Sequence, residues 1–430
     1  MKYRFLLVAF IIAGLFYSAC STEPEIKEEN VSRIIQTLSS DKMKGRHAFT
    51  PEINDAANFI AGEFQKIGLA PLNDENDFFQ DFTIYSLTPS ETKVTVNGQE
   101  LNDQEFFGII HEEEFELKES NSSIRYISAN DSFRDAFRQF ISNDDHNIIA
   151  VDKAHEKWFH RYRGYFNRAN RSFELGDEPN DVFVLISAPI RSYDVSFKNK
   201  LESTELFNVA GMIEGQRKDE IVLFSAHYDH IGVITPMDED SIANGANDNA
   251  SGVSGVIELA RHFSQQPTPE RTIYFVNFTA EESGGFGSKY FSRYIDPENI
   301  VAMINIEMIG KPAIEGPDSG WITGFELSDL GEILQNSTHD SSYVFYPDPY
   351  PSQNLFYRSD NAPFARLGIP AHTISTTPID MDQDYHGVTD EFKTLDISHA
   401  THTIQAIAKG TQVIISGEKT PTRINPDSLR

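Results

Sequence analysis

The 430-residue sequence contains one cysteine, Cys20, and few basic residues for its length. A lone cysteine excludes disulfides within the chain, Cys-based zinc fingers and iron–sulfur clusters. Lys and Arg number 36 against 65 Asp and Glu, giving a net charge of −29, which argues against nucleic-acid binding. Apolar residues at 39% are too many for a disordered acidic chain. We therefore expect a globular protein whose chemistry depends on His, Asp, Glu and hydroxyl groups.

The N-terminus has the parts of a secretory signal: basic residues, an apolar run from Phe5 to Tyr17, and small residues before Cys20. The run is shorter than the roughly 20 residues of a spanning helix. Because cleavage after residue 19 would make Cys20 the first residue, the segment resembles a bacterial lipoprotein signal, although Tyr17 replaces the usual leucine. We expect a signal peptide (1–19), a tether (20–29) and a lipid-anchored, extracytoplasmic protein of the periplasm or cell envelope. The alternative is a free cysteine behind an uncleaved anchor.

From residue 205 onward the sequence alternates between strand and helix patterns. Apolar runs predict strands at 221–226, 272–278, 301–306 and 371–375. Helical periodicity predicts helices at 252–264, 287–294, 328–338, 360–367 and 398–415. Two further helical patterns lie within 30–70. This alternation is typical of an α/β fold, with a mostly parallel or mixed central sheet covered by helices on both faces.

The pattern changes between residues 86 and 200, which we interpret as an inserted subdomain. Residues 92–96 before Asn97-Gly98 predict a hairpin, and 147–151 and 182–187 predict strands. The aromatic and basic stretch 158–171 predicts a solvated helix with its aromatics packed inward. The insertion divides the remaining domain into 30–85 and 201–418.

Polar residues follow three of the predicted strands where ligands bind in such sheets, at the carboxyl ends. His227 and Asp229 follow the first strand, Glu281-Glu282 the second and Glu307 the third. Loops add Asp248 and His386. Singly, each has an ordinary alternative as a turn residue, a helix cap or a surface charge. Together they form a His and carboxylate set suited to catalytic zinc, and one carboxylate can bridge two ions.

This set resembles the zinc exopeptidase family that includes bacterial leucyl aminopeptidase, glutamate carboxypeptidase and glutaminyl cyclase, family twenty-eight of the metallopeptidases. The pieces occur in the family's order, and the resemblance covers roughly 30–85 and 205–415. It implies a zinc-exopeptidase fold of the phosphorylase/hydrolase-like type. At 86–200 the family often carries a protease-associated domain, so a degenerate version of that domain or a lid are the two readings.

The resemblance also implies roles for individual residues. His227 would bind one zinc ion, Asp248 would bridge two, and Glu282 and His386 would bind the other. Glu307 stands where the family usually has an Asp ligand, which leaves open whether one ion or two are bound. Glu281 would be the general base, and Asp229 would orient the His227 ring through a hydrogen bond.

The segment around Arg358 matches a family segment that lines the substrate pocket. It implies substrate contacts for Ser359 and Asp360, which could equally cap a helix. Tyr385, beside His386, is a candidate donor of a hydrogen bond to the tetrahedral oxyanion, and simple packing is its alternative role. The leading hypothesis is an aminopeptidase acting on peptides. Glutaminyl cyclase, carboxypeptidase and a non-catalytic binding protein on the same scaffold are the alternatives.

Overall fold

The computed structural model describes residues 25–72, 77–118, 122–142, 145–176 and 178–429. The predicted signal peptide, the predicted lipidation site Cys20 and the first part of the tether lie outside the described residues. Among the helices in the described ranges, none is both long enough and apolar enough to cross a membrane.

The α-helices of the described ranges include every helix that the sequence predicts, with small shifts of the ends. They are α1 (Glu28–Leu38), α2 (Glu52–Ile67), α3 (Phe133–Ile141), α4 (Glu156–Phe166), α5 (Gly252–Ser264), α6 (Phe286–Ser292), α7 (Leu330–Ser337), α8 (Asn361–Ala365) and α9 (Ile397–Ile415).

The strands include all those predicted from apolar runs and the hairpin at Asn97-Gly98. They are β1 (Ala70–Pro71), β2 (Phe79–Val96), β3 (Gln99–Glu100), β4 (Phe106–Ile109), β5 (Glu114–Leu117), β6 (Ser123–Ile127), β7 (Asn147–Val151), β8 (Asn170–Ser172), β9 (Asp181–Leu185), β10 (Tyr193–Ile213), β11 (Arg217–His227), β12 (Gly232–Met237), β13 (Asp240–Ala243), β14 (Arg271–Phe278), β15 (Ile300–Ile306), β16 (Ser319–Ile322), β17 (Val344–Pro347) and β18 (Ala371–Ser375).

The central sheet is mixed, in the order β17-β16-β18-β15-β11-β14-β10-β2-β3. Its middle strands β14, β11, β15 and β18 are parallel to one another. On the two sides of this block, β10 pairs antiparallel with β14 and β16 pairs antiparallel with β18. The predicted α/β class with a mostly parallel or mixed sheet is confirmed.

Alternate residues of β11 point to opposite faces of the sheet, as a strand requires. Val222 and Phe224 belong to a core formed with α1, α2, α5, α7 and α9 on one face. Ile221 and Leu223 belong to a second core that contains Phe291 of α6. Because both faces carry helices, these strands are apolar along their length, and polar groups are confined to the strand ends.

The insertion has its own mixed sheet, in the order β4-β9-β7-β6, with α3 and α4 packed on one face. The long strands β2 and β10 pair along 17 register positions, from Phe79 with Val209 to Val96 with Tyr193, and connect the insertion to the central sheet. The helix predicted at 158–171 ends at Phe166 and is followed by β8. Its aromatic residues do not all point inward, since Phe159 is buried but Trp158 and Tyr165 are exposed.

Candidate metal centre

The carboxyl ends of three neighbouring strands bring the predicted ligands together. In the parallel register His227, the last residue of β11, pairs with Phe278 at the end of β14, and Ser225 pairs with Asn305 of β15. The residues just after β14 and β15, which include Glu281-Glu282 and Glu307, therefore emerge beside His227.

Asp248 reaches the same point from an irregular turn, Ala246–Ser251, that precedes α5. The side chain of Asn249 donates to the Ile306 carbonyl at 3.0 Å and accepts from Met308 N at 3.1 Å. Asp390 accepts the backbone N–H of Asp248 at 3.0 Å. The turn is thus tied to the end of β15, which fixes the spacing between Asp248 and Glu307.

The first candidate metal site consists of His227, Asp248 and Glu307. His227 Nε2 lies 3.3 Å from Asp248 Oδ1 and 3.4 Å from Glu307 Oε1. His227 Nδ1 lies 3.1 Å from the Asp229 carbonyl oxygen, so Nδ1 carries the proton that is donated there. That leaves the Nε2 lone pair facing the two carboxylates, as a metal ligand requires.

The second candidate site uses the other oxygen of Asp248 together with Glu282. His386 Nε2 lies 3.3 Å from Asp248 Oδ2 and 3.1 Å from Glu282 Oε2. His230 reaches the same pair from the other side, with Nδ1 2.9 Å from Glu282 Oε1 and 3.8 Å from Asp248 Oδ2. His230 was not predicted as a site residue, although it directly follows Asp229 in the sequence. The structure therefore offers two imidazoles to this site.

Buried charges in the two sites shift one another's pKa. Burial disfavours the charged His227 ring, but the carboxylates of Asp248, Glu281 and Glu307 outweigh burial and raise its pKa well above the ordinary value. Burial likewise raises the pKa of Asp248, yet the neighbouring His227 and other imidazoles hold it well below its usual range. The carboxylates at this sheet edge thus depend on positive partners.

The donor set fits two zinc ions. The candidate ligand atoms of His227, Asp248 and Glu307 lie within 4.8 Å of one another, as do those of His230, Asp248 and Glu282. Asp248 Oδ1 is buried and makes no hydrogen bond within the described ranges. Imidazole and carboxylate donors are the ligands of catalytic zinc, and Asp248 is the one residue that contributes to both sites.

Glu281, the predicted general base, lines the cleft beside both sites and belongs to neither of the two candidate ligand groups. Burial raises its pKa well above the ordinary value, and the charges of Glu307 and Glu282 add to this effect while His227 opposes it. The Asp229 carboxylate accepts the Glu281 backbone N–H at 3.0 Å. Asp229 differs here from the prediction, because its carbonyl holds the His227 ring while its carboxylate Oδ1 lies 3.8 Å from Nδ1.

The predicted substrate contacts divide in the structure. Ser359 donates a hydrogen bond to Glu307 Oε2 and so supports a candidate ligand. Asp360 is buried, with burial raising its pKa to about 7. α8 begins at the next residue, and the Asp360 side chain makes no capping hydrogen bond. Tyr385 lines the cleft and stacks on His386 with ring centroids 3.9 Å apart.

A buried arginine that the sequence did not single out as a site residue holds the loops behind the ligands. The Arg46 guanidinium donates to the carbonyls of Leu38, Tyr228, Asn244 and Gly245 at 2.6–2.9 Å. It therefore connects the segment before α2 to the ends of β11 and β13. A single buried arginine produces no periodic pattern, so the hydrophobic patterning of the sequence contains no sign of it.

The two candidate sites open into a cleft of about 1190 Å³. One wall comes from the predicted catalytic domain and includes Trp321, Arg358 and Tyr385. The other includes residues 165–166 and 168–174 of the insertion. The insertion thus contributes directly to the space in which a substrate would lie.

The comparison with protein families agrees with this geometry. Residues 208–411 match the model of "Peptidase family M28". The chain contains a peptidase family M28 domain. The match includes all the candidate metal ligands and Glu281. A probable zinc metalloprotease of Pyrenophora tritici-repentis is 37% identical over 109 residues, which is 25% of either chain. The chain thus spans about a quarter of the length of the first curated relatives that it matches.

Further relatives extend the similarity beyond that segment. A probable leucine aminopeptidase 1 of Trichophyton verrucosum is 30% identical over 198 residues, covering 43% of this chain and 51% of that protein. The structure of an aminopeptidase from Aneurinibacillus sp. strain AM-1 superposes with a TM-score of 0.56 at 16% identity, covering 94% of this chain and 97% of the other. A zinc aminopeptidase from Bacillus subtilis gives 0.54 at 16% identity, with 95% and 98% covered. These structures share the fold of this chain.

Proposed function

We propose that this M28 protein is a zinc-dependent aminopeptidase that releases N-terminal residues from peptides. The observation that carries the proposal is the position of Asp248, whose two carboxylate oxygens each face a separate imidazole and carboxylate pair, with Glu281 alongside. The names of its structural neighbours from Aneurinibacillus and Bacillus subtilis support the choice of the amino end.

The residues of the chain then have distinct tasks. His227, Asp248 and Glu307 would hold one zinc ion, and Asp248, Glu282 and His386 the other. Bound zinc supplies a Lewis acid that polarises the peptide carbonyl and lowers the pKa of water. Glu281 takes a proton from the attacking water and delivers it to the leaving amine. The Asp229 carboxylate keeps the Glu281 backbone in place at 3.0 Å.

Burial prepares Glu281 for this work. A carboxylate whose pKa is raised by burial is a stronger base than one in water, so it accepts a proton more readily near neutral pH. Tyr385, which faces the cleft beside His386, is placed to donate a hydrogen bond to the oxygen that becomes negative when the carbonyl is attacked.

The proposal is tested by incubating zinc-loaded protein with three peptides: one blocked at the carboxyl end, one blocked at the amino end, and one that begins with glutamine. Release of the first residue from the carboxyl-blocked peptide, and no release from the amino-blocked peptide, is the expected result. Release from the amino-blocked peptide would instead indicate a carboxypeptidase. Cyclisation of the glutamine peptide without hydrolysis would indicate a glutaminyl cyclase, and no reaction would indicate a binding protein.

We further propose that the protein is exported and anchored to a membrane through lipid on Cys20. The order of basic, apolar and small residues before Cys20 supports this proposal. Mass spectrometry of the N-terminal peptide from the membrane fraction tests it. A diacylated cysteine as the first residue is expected. An N-terminal peptide that begins with unmodified Met1 would contradict the proposal, and so would a Cys20→Ser variant that fractionates between membrane and soluble fractions as wild type does.

A further inference from the structure

Three basic side chains with no acidic partner line the cleft beside the candidate metal centre. They are Arg171 on β8 of the insertion, Lys289 in α6 and Arg293 just after α6, and are here called the basic wall. Among the described residues, no carboxylate lies within 4.0 Å of any of the three. The chain has a net charge of −29, so most basic side chains have acidic residues available as partners. Three basic side chains without an ion pair in one cleft therefore indicate a local role.

Aromatic rings hold the two arginines of the basic wall in place. The Arg171 guanidinium lies over the Phe49 ring at 3.9 Å, and that of Arg293 lies over Phe173 at 4.3 Å. A stacked guanidinium has its face covered and its edge N–H groups left to bind a planar anion. Arg171 Nε is buried and makes no hydrogen bond within the described part of the chain, so it lacks the acceptor that such a group normally has.

The rings belong to one cluster that joins the insertion to α6. Phe173 contacts Phe286 and Tyr290 with ring centroids 5.4 and 5.8 Å apart, and Phe82 stacks on Tyr290 at 4.7 Å. A short turn separates Glu281 from α6. Lys289 of α6 donates through Nζ to the Gly284 carbonyl of this turn at 2.8 Å. The basic wall is therefore built on the same segment that carries the candidate general base.

Burial and mutual repulsion disfavour the charged forms of the basic wall. Burial lowers the pKa of Lys289, and the positive charges of Arg366 and Arg293 lower it further, while the more distant Glu178 carboxylate opposes them in part. Burial also lowers the pKa of Arg171. An anion bound between these groups would relieve both effects. The acidic residues that line the cleft are the candidate zinc ligands and Glu281, whose negative charge bound zinc would offset, and Glu174 and Glu178 of the insertion.

We propose that the basic wall binds a carboxylate of the substrate, so that the protein prefers peptides carrying a negative charge beyond the bond that is cleaved. The carboxylate comes either from the free C-terminus of a short peptide or from an acidic side chain. This inference rests on the proposed peptidase function for its substrate class, but it concerns binding and can be measured without hydrolysis.

The test is equilibrium binding to the zinc-loaded Glu281→Gln variant by calorimetry at low salt. One pair of probes is leucyl-leucine and its C-terminal amide; the other is the amides of leucyl-glutamate and leucyl-glutamine. Each pair differs by one carboxylate. Charge-assisted hydrogen bonds predict about tenfold tighter binding of the carboxylate form in at least one pair. A preference in the first pair identifies the C-terminus as the source, and one in the second identifies the side chain.

Variants of the wall decide the assignment. We expect Arg293→Gln, at an exposed position, and Arg171→Gln each to reduce the preference to below about threefold. The matched control is Arg161→Gln, because Arg161 also stacks on an aromatic ring, Trp158 at 5.5 Å, but does not line the cleft. Carboxylate and neutral forms that bind equally, no binding of either pair, or a preference kept in both wall variants would overturn the inference. A retained preference in a protein whose wild type hydrolyses no peptide would instead overturn the proposed function alone.

Discussion

Ser359 donates a hydrogen bond to Oε2 of Glu307, and Asn305 in turn donates to the Ser359 hydroxyl at 2.8 Å. The other oxygen of Glu307, Oε1, faces His227. Glu307 is one methylene longer than the aspartate that the family resemblance leads one to expect there, so its carboxylate has an additional rotatable bond. Ser359 compensates by fixing the side chain in one orientation.

Replacing Ser359 with alanine therefore tests the first candidate site. We expect Ser359→Ala to weaken zinc binding to that site by about 10- to 100-fold, as loss of a group that orients a ligand does, while the second ion is retained. Competition with a chelator, followed by metal analysis, measures this. Ser359→Thr keeps a hydroxyl and should bind zinc nearly as wild type does, and the exposed Ser352→Ala is the matched control. Equal zinc affinity in all four proteins would contradict the role of Ser359.

The second site poses a choice between two histidines. His386 Nε2 lies within 3.3 Å of oxygens of both Asp248 and Glu282, whereas His230 Nδ1 lies 2.9 Å from Glu282 but 3.8 Å from Asp248. We expect His386→Gln to remove the second zinc ion and His230→Gln to weaken its binding by about 10- to 100-fold, because His230 orients the Glu282 carboxylate. Zinc stoichiometry by native mass spectrometry distinguishes them. The reverse order of effects would make His230 the ligand.

A buried acid in the insertion should make its stability depend on pH. Asp181 is 2% exposed and accepts from Asn147 Nδ2 at 2.7 Å. Burial raises its pKa from the ordinary value of 3.8 to about 7. The folded state therefore holds the proton more tightly than the unfolded state, and this contribution to stability is complete below pH 3.8 and declines as pH rises to about 7.

The Asp181→Asn variant isolates that effect. An uncharged amide avoids the cost of a buried carboxylate, so we expect the variant to melt roughly 3 °C or more above wild type at pH 8 and close to wild type at pH 4. Thermal unfolding at both pH values checks the difference. Asp194→Asn removes the same charge at a site that is 72% exposed and should show no such change. An increase in the melting temperature of Asp181→Asn that is no larger at pH 8 than at pH 4 would contradict the destabilising effect of the buried carboxylate.

The parts of the fold that follow from periodicity could be predicted from the sequence. β11, β14 and β15 are apolar because helices cover both of their faces, and this pattern located the edge where His227, Glu281 and Glu307 meet. The insertion was harder, because β2 and β10 are long, twisted and partly exposed strands, so their alternation is interrupted. Its contribution to the cleft depends on contacts between residues far apart in sequence.

The supporting groups of the site were also beyond sequence reasoning. Asn249 and Asp390 act through hydrogen bonds to backbone groups, and any polar residue in a loop could do the same. His227 Nδ1 lies 3.1 Å from the Asp229 carbonyl oxygen and 3.8 Å from the Asp229 carboxylate. Motif spacing does not resolve so small a difference in distance. Residue identity indicated that a metal centre exists, whereas geometry shows how its ligands are held.

Glu281 is the residue on which the account depends most directly. The decisive measurement is the rate at which zinc-loaded Glu281→Gln and wild-type protein release the first residue from a carboxyl-blocked peptide, with zinc content determined on the same samples. Glu214→Gln, on the surface beside Lys218, is the control. We expect unchanged zinc content and a loss of about 10²- to 10⁴-fold in kcat for Glu281→Gln alone. Full activity of that variant, or no hydrolysis by zinc-loaded wild type, would contradict it.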